Sequence, residues 1–192
     1  MENYGESPVI TTFKGLLGAV IGAIPGMIVW IILGKIGVVA SIVGMLISAG
    51  IIFGFSFMTK NANLNTGIVI VICLGVFLVS MLLSEKIVWT WELAETFKSY
   101  LPTFREEIIT SVMAEDSTLT RADVKSILTD DLYNEILQES FGVKEGTFSE
   151  CFSNFSVLLE KLELKSEYTA SLFKSMLFGI VGGGAFFAKV GV

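Results

Sequence analysis

The sequence predicts an all-α, polytopic membrane protein with four transmembrane helices and a polar helical domain inserted between the third and the fourth. Hydrophobic residues make up 53% of the 192 residues, the mean hydropathy is +0.73, and 17% of the residues are charged. Soluble domains usually carry about 25% charged residues, so this is a membrane composition. No alternating β-pattern of useful length interrupts the apolar runs, which indicates helices throughout.

The first apolar run is long enough for two spans. From Gly15 to Met58 there are 44 residues with a single charge, Lys35. One span needs about 20 apolar residues, so the run predicts two spans, at about 14–34 and 37–58, joined by a tight turn. We expect the first span to be retained rather than cleaved as a signal peptide, because its core is too long and a second span follows directly.

Two further apolar runs predict the third and fourth spans, at about 66–83 and 172–190. Lys174 and Lys189 lie near the ends of the fourth run, where snorkelling and local thinning can accommodate a short span. The predicted organisation is therefore a membrane domain at 1–83, an acidic helical domain at 84–171 and a fourth transmembrane helix at 172–192.

Small residues recur along the first two spans at helical spacing. Helices in lipid associate through such faces, because small residues let the backbones approach closely. The sequence therefore predicts that the first two spans pack against each other, with a kink at Pro25. The residues of the predicted helix-packing face are Gly15, Gly18, Gly22, Gly26, Gly37, Ser41, Gly44 and Ser48.

The polar segment 84–171 reads as a series of helices. A periodic pattern from Ile87 to Leu101 predicts an amphipathic helix that continues the third span and ends before Pro102. A shorter helix is expected around 108–113, and another apolar stripe from Val124 to Leu137 ends near Gly142.

A capping box opens the next helix, with Thr147 at the cap and Glu150 three residues later. Behind it runs a narrow apolar seam with steps of four and three residues, typical of a helix that packs against another helix. We interpret it as a candidate partner surface, formed by Phe148, Phe152, Phe155, Leu159 and Leu162.

Charge is concentrated in the inserted segment. Residues 84–171 hold 17 acidic and 8 basic residues, a net charge of −9, whereas the whole chain has −6. Such a block repels nucleic acid, so we expect no nucleic-acid partner. The expected partners are the lipid bilayer and either a second copy of the chain or another membrane protein.

No catalytic, cofactor-binding or metal-ligating constellation is evident. The chain has no His, and Cys73 and Cys151 are a pair too distant for a zinc motif. Carboxylate pairs such as Glu106–Glu107 and Asp130–Asp131 are the best enzymatic candidates, but charged runs on helices are usually solvated faces. We therefore expect neither a cofactor nor an enzymatic activity.

Tryptophans and lysines indicate the membrane boundaries. Trp30 lies near the end of the first span while Trp89 and Trp91 follow the third, and these positions fall on one side in a four-span path. Short-loop lysines favour a cytoplasmic N-terminus in the cell membrane, which places residues 84–171 outside; Lys86 and Lys174 favour the opposite orientation.

The stretches "GLLGAVIGAIPGMIVWIILG" and "GMLISAGIIFGF", with the aromatic helix start at 148–152, resemble a group of small Gly-rich multi-pass membrane proteins of Gram-positive bacteria. The resemblance covers about half of the chain and departs at residues 104–146. It implies a Gly-rich hairpin, a third span, a helical insert and a final span, and it carries no activity or functional residues over.

Two functions fit these patterns. The first is a non-enzymatic structural or interaction protein that presents an acidic helical domain. The alternative is a transporter or channel component for a small solute, because a Pro–Gly kink within a membrane helix can serve as a hinge or an ion site.

Overall fold

A computed structural model describes residues 7–35, 41–60 and 64–190, and the side chains at 41 and 185–190 lie outside the description. The described residues are helical, with short turns and no β-strand. The helices are α1 (Pro8–Lys35), α2 (Ser41–Thr59), α3 (Thr66–Glu115), α4 (Arg121–Ile127), α5 (Asp130–Phe141), α6 (Phe148–Ser153), α7 (Phe155–Lys161) and α8 (Lys165–Val190).

Three of these helices are long and apolar enough to cross a membrane, which agrees with the first three predicted spans. They are Pro8–Lys35, Ile42–Thr59 and Thr66–Glu115. The fourth predicted span, 172–190, lies in α8, which is not among these three.

Helix α1 begins six residues before the predicted start of the first span. The side-chain oxygen of Ser7 accepts a hydrogen bond from the backbone N–H of Ile10 at 3.4 Å, and Pro8 follows at the first helical position. Proline is favoured there because its fixed φ suits the helix and its missing N–H is not needed. The polar residues at the start of α1 therefore extend the helix beyond its apolar run.

Helix α3 is a single helix of 50 residues, so the prediction that it ends before Pro102 was wrong. A proline inside a helix frees the carbonyl four residues earlier, which here belongs to the exposed Lys98. Phe97 and Ile109, on either side of the proline, are buried in the same cluster. Because residues on both sides of Pro102 pack in the same core, α3 continues through the proline. The separate helix expected at 108–113 is therefore the last part of α3.

The chain divides into two compact units. The first, here called the apolar unit, comprises Met1–Val88 and Ala170–Val192; the second, the acidic unit, comprises Trp89–Thr169. The corresponding predicted boundaries were 83/84 and 171/172. Helices α3 and α8 contribute residues to both units.

Each unit has its own hydrophobic core. In the apolar unit, buried side chains from α1, α2 and α3 such as Ala23, Ile47 and Phe77 form one cluster. In the acidic unit, residues such as Phe97, Leu137 and Leu158 form another.

The predicted stripe from Val124 to Leu137 is divided between two helices. Helix α4 ends at Ile127, and Thr129 caps α5 by accepting a hydrogen bond from the N–H of Leu132. Helix α5 ends as expected at Gly142, whose φ of +76° lies in the left-handed region that glycine adopts most easily.

Candidate functional site

The closest helix contact in the apolar unit joins α1 and α2 through their backbones. A Cβ built on Gly18 would strike the carbonyl of Gly54, and one on Gly22 would strike the carbonyl of Gly50. The reverse holds for Gly50 and Gly54, so the two helices cross with only hydrogen atoms between their main chains. Four glycines thus make the intimate contact that small residues permit between membrane helices.

Two more glycines of α1 extend this contact in both directions. A Cβ on Gly15 would lie 2.5 Å from the ring of Phe55, and one on Gly26 would lie 2.6 Å from Ile47. All four glycines predicted for the packing face of α1 therefore lie against α2.

The predicted face of α2 lies elsewhere. A Cβ on Gly44 would lie 2.5 Å from the carbonyl oxygen of Gly179, and the Oγ of Ser48 lies 2.6 Å from a Cβ built on Gly183. These residues face α8, so the expectation that they contact α1 was wrong. Gly37 lies outside the described residues, and nothing is described of the side chain of Ser41.

Sequence reasoning missed Gly50 and Gly54, although their spacing of four residues was visible. Helix α2 carries two small-residue faces, one toward each neighbouring helix. The sequence alone does not indicate which face contacts which helix. Pro25 lies inside α1, which continues through it without interruption; a bend at Pro25 stays a prediction.

A buried carboxylate lies at the end of the apolar part of α3. Glu85 is only 5% exposed. Its carboxylate oxygens accept hydrogen bonds from the Oγ of Ser171 at 2.7 Å and from the indole Nε1 of Trp30 at 3.4 Å. One acidic side chain therefore joins α1, α3 and α8 through hydrogen bonds, as buried polar groups in proteins usually do.

Other polar side chains of the apolar unit are buried as well. Ser84 is fully buried, and its Oγ has no hydrogen-bond partner in the described structure. Ser80 and Ser175 are also buried. Sequence reasoning ended the third span at Leu83 and so treated Ser84 and Glu85 as the start of the polar domain.

The predicted seam is divided between the core and the surface of the acidic unit. Asn154 separates α6 from α7, so the seam is not one continuous helix. Phe155 and Leu159 are buried in a cluster with Leu93, and Leu162 is partly buried against it. The ring of Phe155 lies 5.0 Å from that of Tyr168.

The other end of the seam is exposed and belongs to an aromatic patch, which we define as Trp91, Phe148 and Phe152. The ring centroids of Phe148 and Trp91 are 5.9 Å apart, and the rings of Phe148 and Phe152 stack at the same distance. Trp91 is 41% exposed and Phe148 is 40% exposed. Phe152 is half-buried, and the patch leaves apolar surface exposed.

The predicted capping box is confirmed at the start of α6. The N–H of Glu150 donates to the Oγ1 of Thr147 at 3.4 Å, and the carboxylate of Glu150 accepts from the N–H groups of Thr147 and Glu145. Burial tends to raise the pKa of Glu150, but hydrogen bonds from the amides of Glu145, Thr147 and Lys144 lower it below its ordinary value.

Cys151, beside this cap, is fully buried. Burial raises the pKa of its thiol, and the neighbouring charge of Glu150 raises it further, against a smaller lowering by Lys98. A buried thiol with a raised pKa is unreactive.

The carboxylates considered for catalysis lie in separate exposed contacts. Glu106 forms ion pairs with Arg121 and Lys125, whereas Asp130 lies 3.1 Å from Arg105. In the described part of the chain no three His, Cys, Asp or Glu side chains are grouped to hold a metal ion.

No family model, curated protein or solved structure matches this chain.

Proposed function

We propose that this chain is a non-enzymatic, multi-pass protein of the cell membrane that presents an acidic helical domain to a protein partner. Support comes first from the distribution of side chains in the apolar unit, which is the reverse of that in a soluble protein. Its helices meet through glycines, while large apolar side chains point outward: Phe53 is 72% exposed and Val71 is 71% exposed. Lipid is the solvent that suits such a surface. The resemblance to the Gram-positive multi-pass group supports the same assignment.

We further propose that α8 is a fourth span. Along α8, Ser171 contacts Glu85, Gly179 lies against Met81, and Gly183 lies against Phe77. Helix α8 thus runs antiparallel to the apolar part of α3 and at the same level. If α3 crosses the bilayer, the adjoining part of α8 lies within it too.

The observation that carries the interaction function is the surface of the acidic unit. This unit has its own hydrophobic core, it belongs to the segment with a net charge of −9, and it exposes the aromatic patch. Exposed aromatic side chains are enriched where proteins bind one another. The partner is a membrane protein or a second copy of the chain.

Site-specific photocrosslinking in native membranes tests this function. A photoreactive amino acid at Phe148 or Phe152 is expected to form a protein adduct, because both positions lie in the patch. The same residue at Ser126, an exposed position of α4, serves as the control and is expected to give none. Absence of adducts at Phe148 and Phe152 would contradict the proposal.

We propose a cytoplasmic N-terminus, which places the acidic unit outside the cell. Cys151 is too buried to report this, so the test uses the exposed position Ser149 as cysteine in a Cys151→Ala chain. A membrane-impermeant maleimide is expected to label Ser149→Cys in intact cells. Labelling only after lysis would reverse the orientation.

A transporter or channel component for a small solute is the second candidate, favoured by Glu85. Buried ionisable residues among membrane helices are a common mark of solute or ion pathways. Osmotic swelling of proteoliposomes in glycerol or urea should then exceed that of empty liposomes and change in Glu85→Gln and Pro25→Ala chains. Swelling equal to that of empty liposomes would remove this candidate.

A further inference from the structure

A second surface of the acidic unit is a long open groove of about 630 Å³. One wall is the part of α3 from Trp89 to Thr103, and the other is the turn after α7 with the start of α8, from Leu162 to Glu167. The fifteen helical residues from Trp89 to Thr103 span about 21 Å. The groove is therefore as long as a helix of about four turns.

The walls of the groove are held by packing within the acidic unit. The ring of Trp89 lies edge-on to Tyr168 at 5.6 Å. In the turn, Glu163 has a φ of +60°, and the N–H of Leu164 donates to the carbonyl of Leu159 at 2.9 Å. This backbone arrangement positions Leu164 beside the groove.

The chemistry of the groove is apolar inside and acidic at the edge. Trp89, Leu162 and Leu164 are partly buried and supply apolar surface, while Glu92 and Glu167 are exposed. Neither Lys nor Arg is found among the residues that line it. The surrounding segment, residues 84–171, has a net charge of −9, so the local potential favours a cation.

We infer that this groove binds a basic amphipathic helix of a partner protein. An amphipathic helix lays its apolar face into a hydrophobic groove, and here Lys or Arg side chains on its flanks would meet the acidic edge at Glu167. The length of the groove suits about four helical turns, of which a small cation would fill only part. A second acidic unit would be repelled. The inference rests on the proposed function and specifies the partner's chemistry.

The test uses the full chain in phosphatidylcholine nanodiscs and a fluorescent Leu/Lys peptide of about 14 residues. Its leucines follow the i, i+3, i+4, i+7 pattern, and a benzophenone group lies on the apolar face. A Leu/Glu peptide with the same pattern and empty nanodiscs are the controls. The Lys peptide is expected to bind the chain at least about tenfold more tightly than the Glu peptide binds the chain. It is also expected to bind empty nanodiscs at least about tenfold more weakly than it binds the chain. Its crosslinks are expected at residues 89–103 and 162–167.

Two variants and a matched control locate the binding. Glu167→Lys is expected to weaken binding of the Lys peptide by about tenfold. Glu139→Lys makes the same charge change at an exposed position of α5 and is expected to leave the affinity within about twofold. Thr96→Trp fills the groove without changing its charge, and it should also abolish binding.

Four results would overturn the inference. Equal loss in the α5 control would show attraction to net charge alone, and crosslinks outside the two walls would place the site elsewhere. Displacement of the peptide by stoichiometric benzyltrimethylammonium would reassign the groove to a small organic cation. Adducts from Phe148 in native membranes, with no peptide bound in the groove, would remove this inference and leave the proposed function standing.

Discussion

At the scale of single residues, Glu85 and Glu150 show how differently a carboxylate can be used. Glu150 closes a helix cap at the surface, where three backbone amides hold its charge. Glu85 lies among helices of the apolar unit and binds two side chains that the sequence separates by 141 residues, Trp30 and Ser171. Only the cap follows a local pattern, so only the cap was predictable.

The Glu150 cap gives acid sensitivity to the start of α6. The pKa of Glu150 is lower in the folded chain than its ordinary value of 4.5. Its contribution to stability is therefore complete above about pH 4.5 and is lost as the pH falls through the folded pKa. The protection factors of the amides at 145 and 147 against hydrogen exchange should fall over this range.

Glu150→Gln is the matched variant for that measurement. Its side chain keeps the size and an accepting oxygen but cannot titrate, so the protection factors at 145 and 147 should stay constant between about pH 3 and pH 6. If the variant showed the same loss of protection at low pH as the parent chain, the assignment of the acid sensitivity to Glu150 would be wrong.

At the scale of elements, the contact of α1 with α2 depends on the absence of side chains. Gly22→Ala places a methyl group against the carbonyl of Gly50, and backbone cannot move aside as a flexible side chain can. We expect a loss of stability of about 1–3 kcal/mol, the usual cost of overpacking. Thermal unfolding in detergent micelles measures it.

Gly75→Ala is the control for this prediction, because nothing lies within 4 Å of a Cβ at that position. Alanine is the better helix former, so the midpoint of unfolding should stay the same or rise slightly. Equal destabilisation by Gly22→Ala and Gly75→Ala would mean that close backbone approach does not hold α1 to α2.

The aromatic seam predicts an unequal response along its length. Phe155 is 7% exposed, so Phe155→Ala should destabilise the acidic unit by about 3–5 kcal/mol through the cavity it leaves. Phe148→Ala, at the exposed end, should cost about 0.5 kcal/mol or less. The two losses of stability are compared by hydrogen exchange of buried amides in α5 and α7 of the full chain. Similar effects would contradict the division of the seam between core and surface.

Sequence patterns predicted helices well and their neighbours less well. The 3.6-residue period, the small residues of α1 and the Thr147–Glu150 box are local features, and they were read correctly. The continuation of α3 through Pro102 was missed because packing of Phe97 and Ile109 in one core outweighs the lost hydrogen bond. Which face of α2 meets α1 depends on competition with α8, and no local pattern encodes that.

The candidate sites divide in the same way, into local features that the sequence shows and contacts between distant segments that it does not show. The exposed end of the seam was visible in the sequence as aromatic residues at helical spacing. Glu85 and the groove were not, because each brings together residues from distant segments: Ser171 reaches Glu85 from α8, and Leu164 lies across from α3 in the groove. The sequence signal at Glu85 was a carboxylate immediately after an apolar run. Solvent-exposed carboxylates are also common at that position, so the signal did not distinguish a buried carboxylate from an exposed one.

At the scale of the whole molecule, glycines occupy the helix contacts of the apolar unit and large side chains occupy its exterior. Ile21, Phe53 and Val71 are all at least 60% exposed, which in water would drive association. In a bilayer the same surface is solvated by lipid, and the helices are held together by close packing at their contacts and by buried hydrogen bonds.

Alkaline carbonate extraction of membranes from cells that produce the full chain tests this central claim most directly. Integral proteins stay in the sedimented membranes after this wash and dissolve only when detergent is added. We predict that result for the chain, followed by elution as a single species in dodecylmaltoside. Release by carbonate as a compact particle that remains monodisperse in detergent-free buffer would contradict the account.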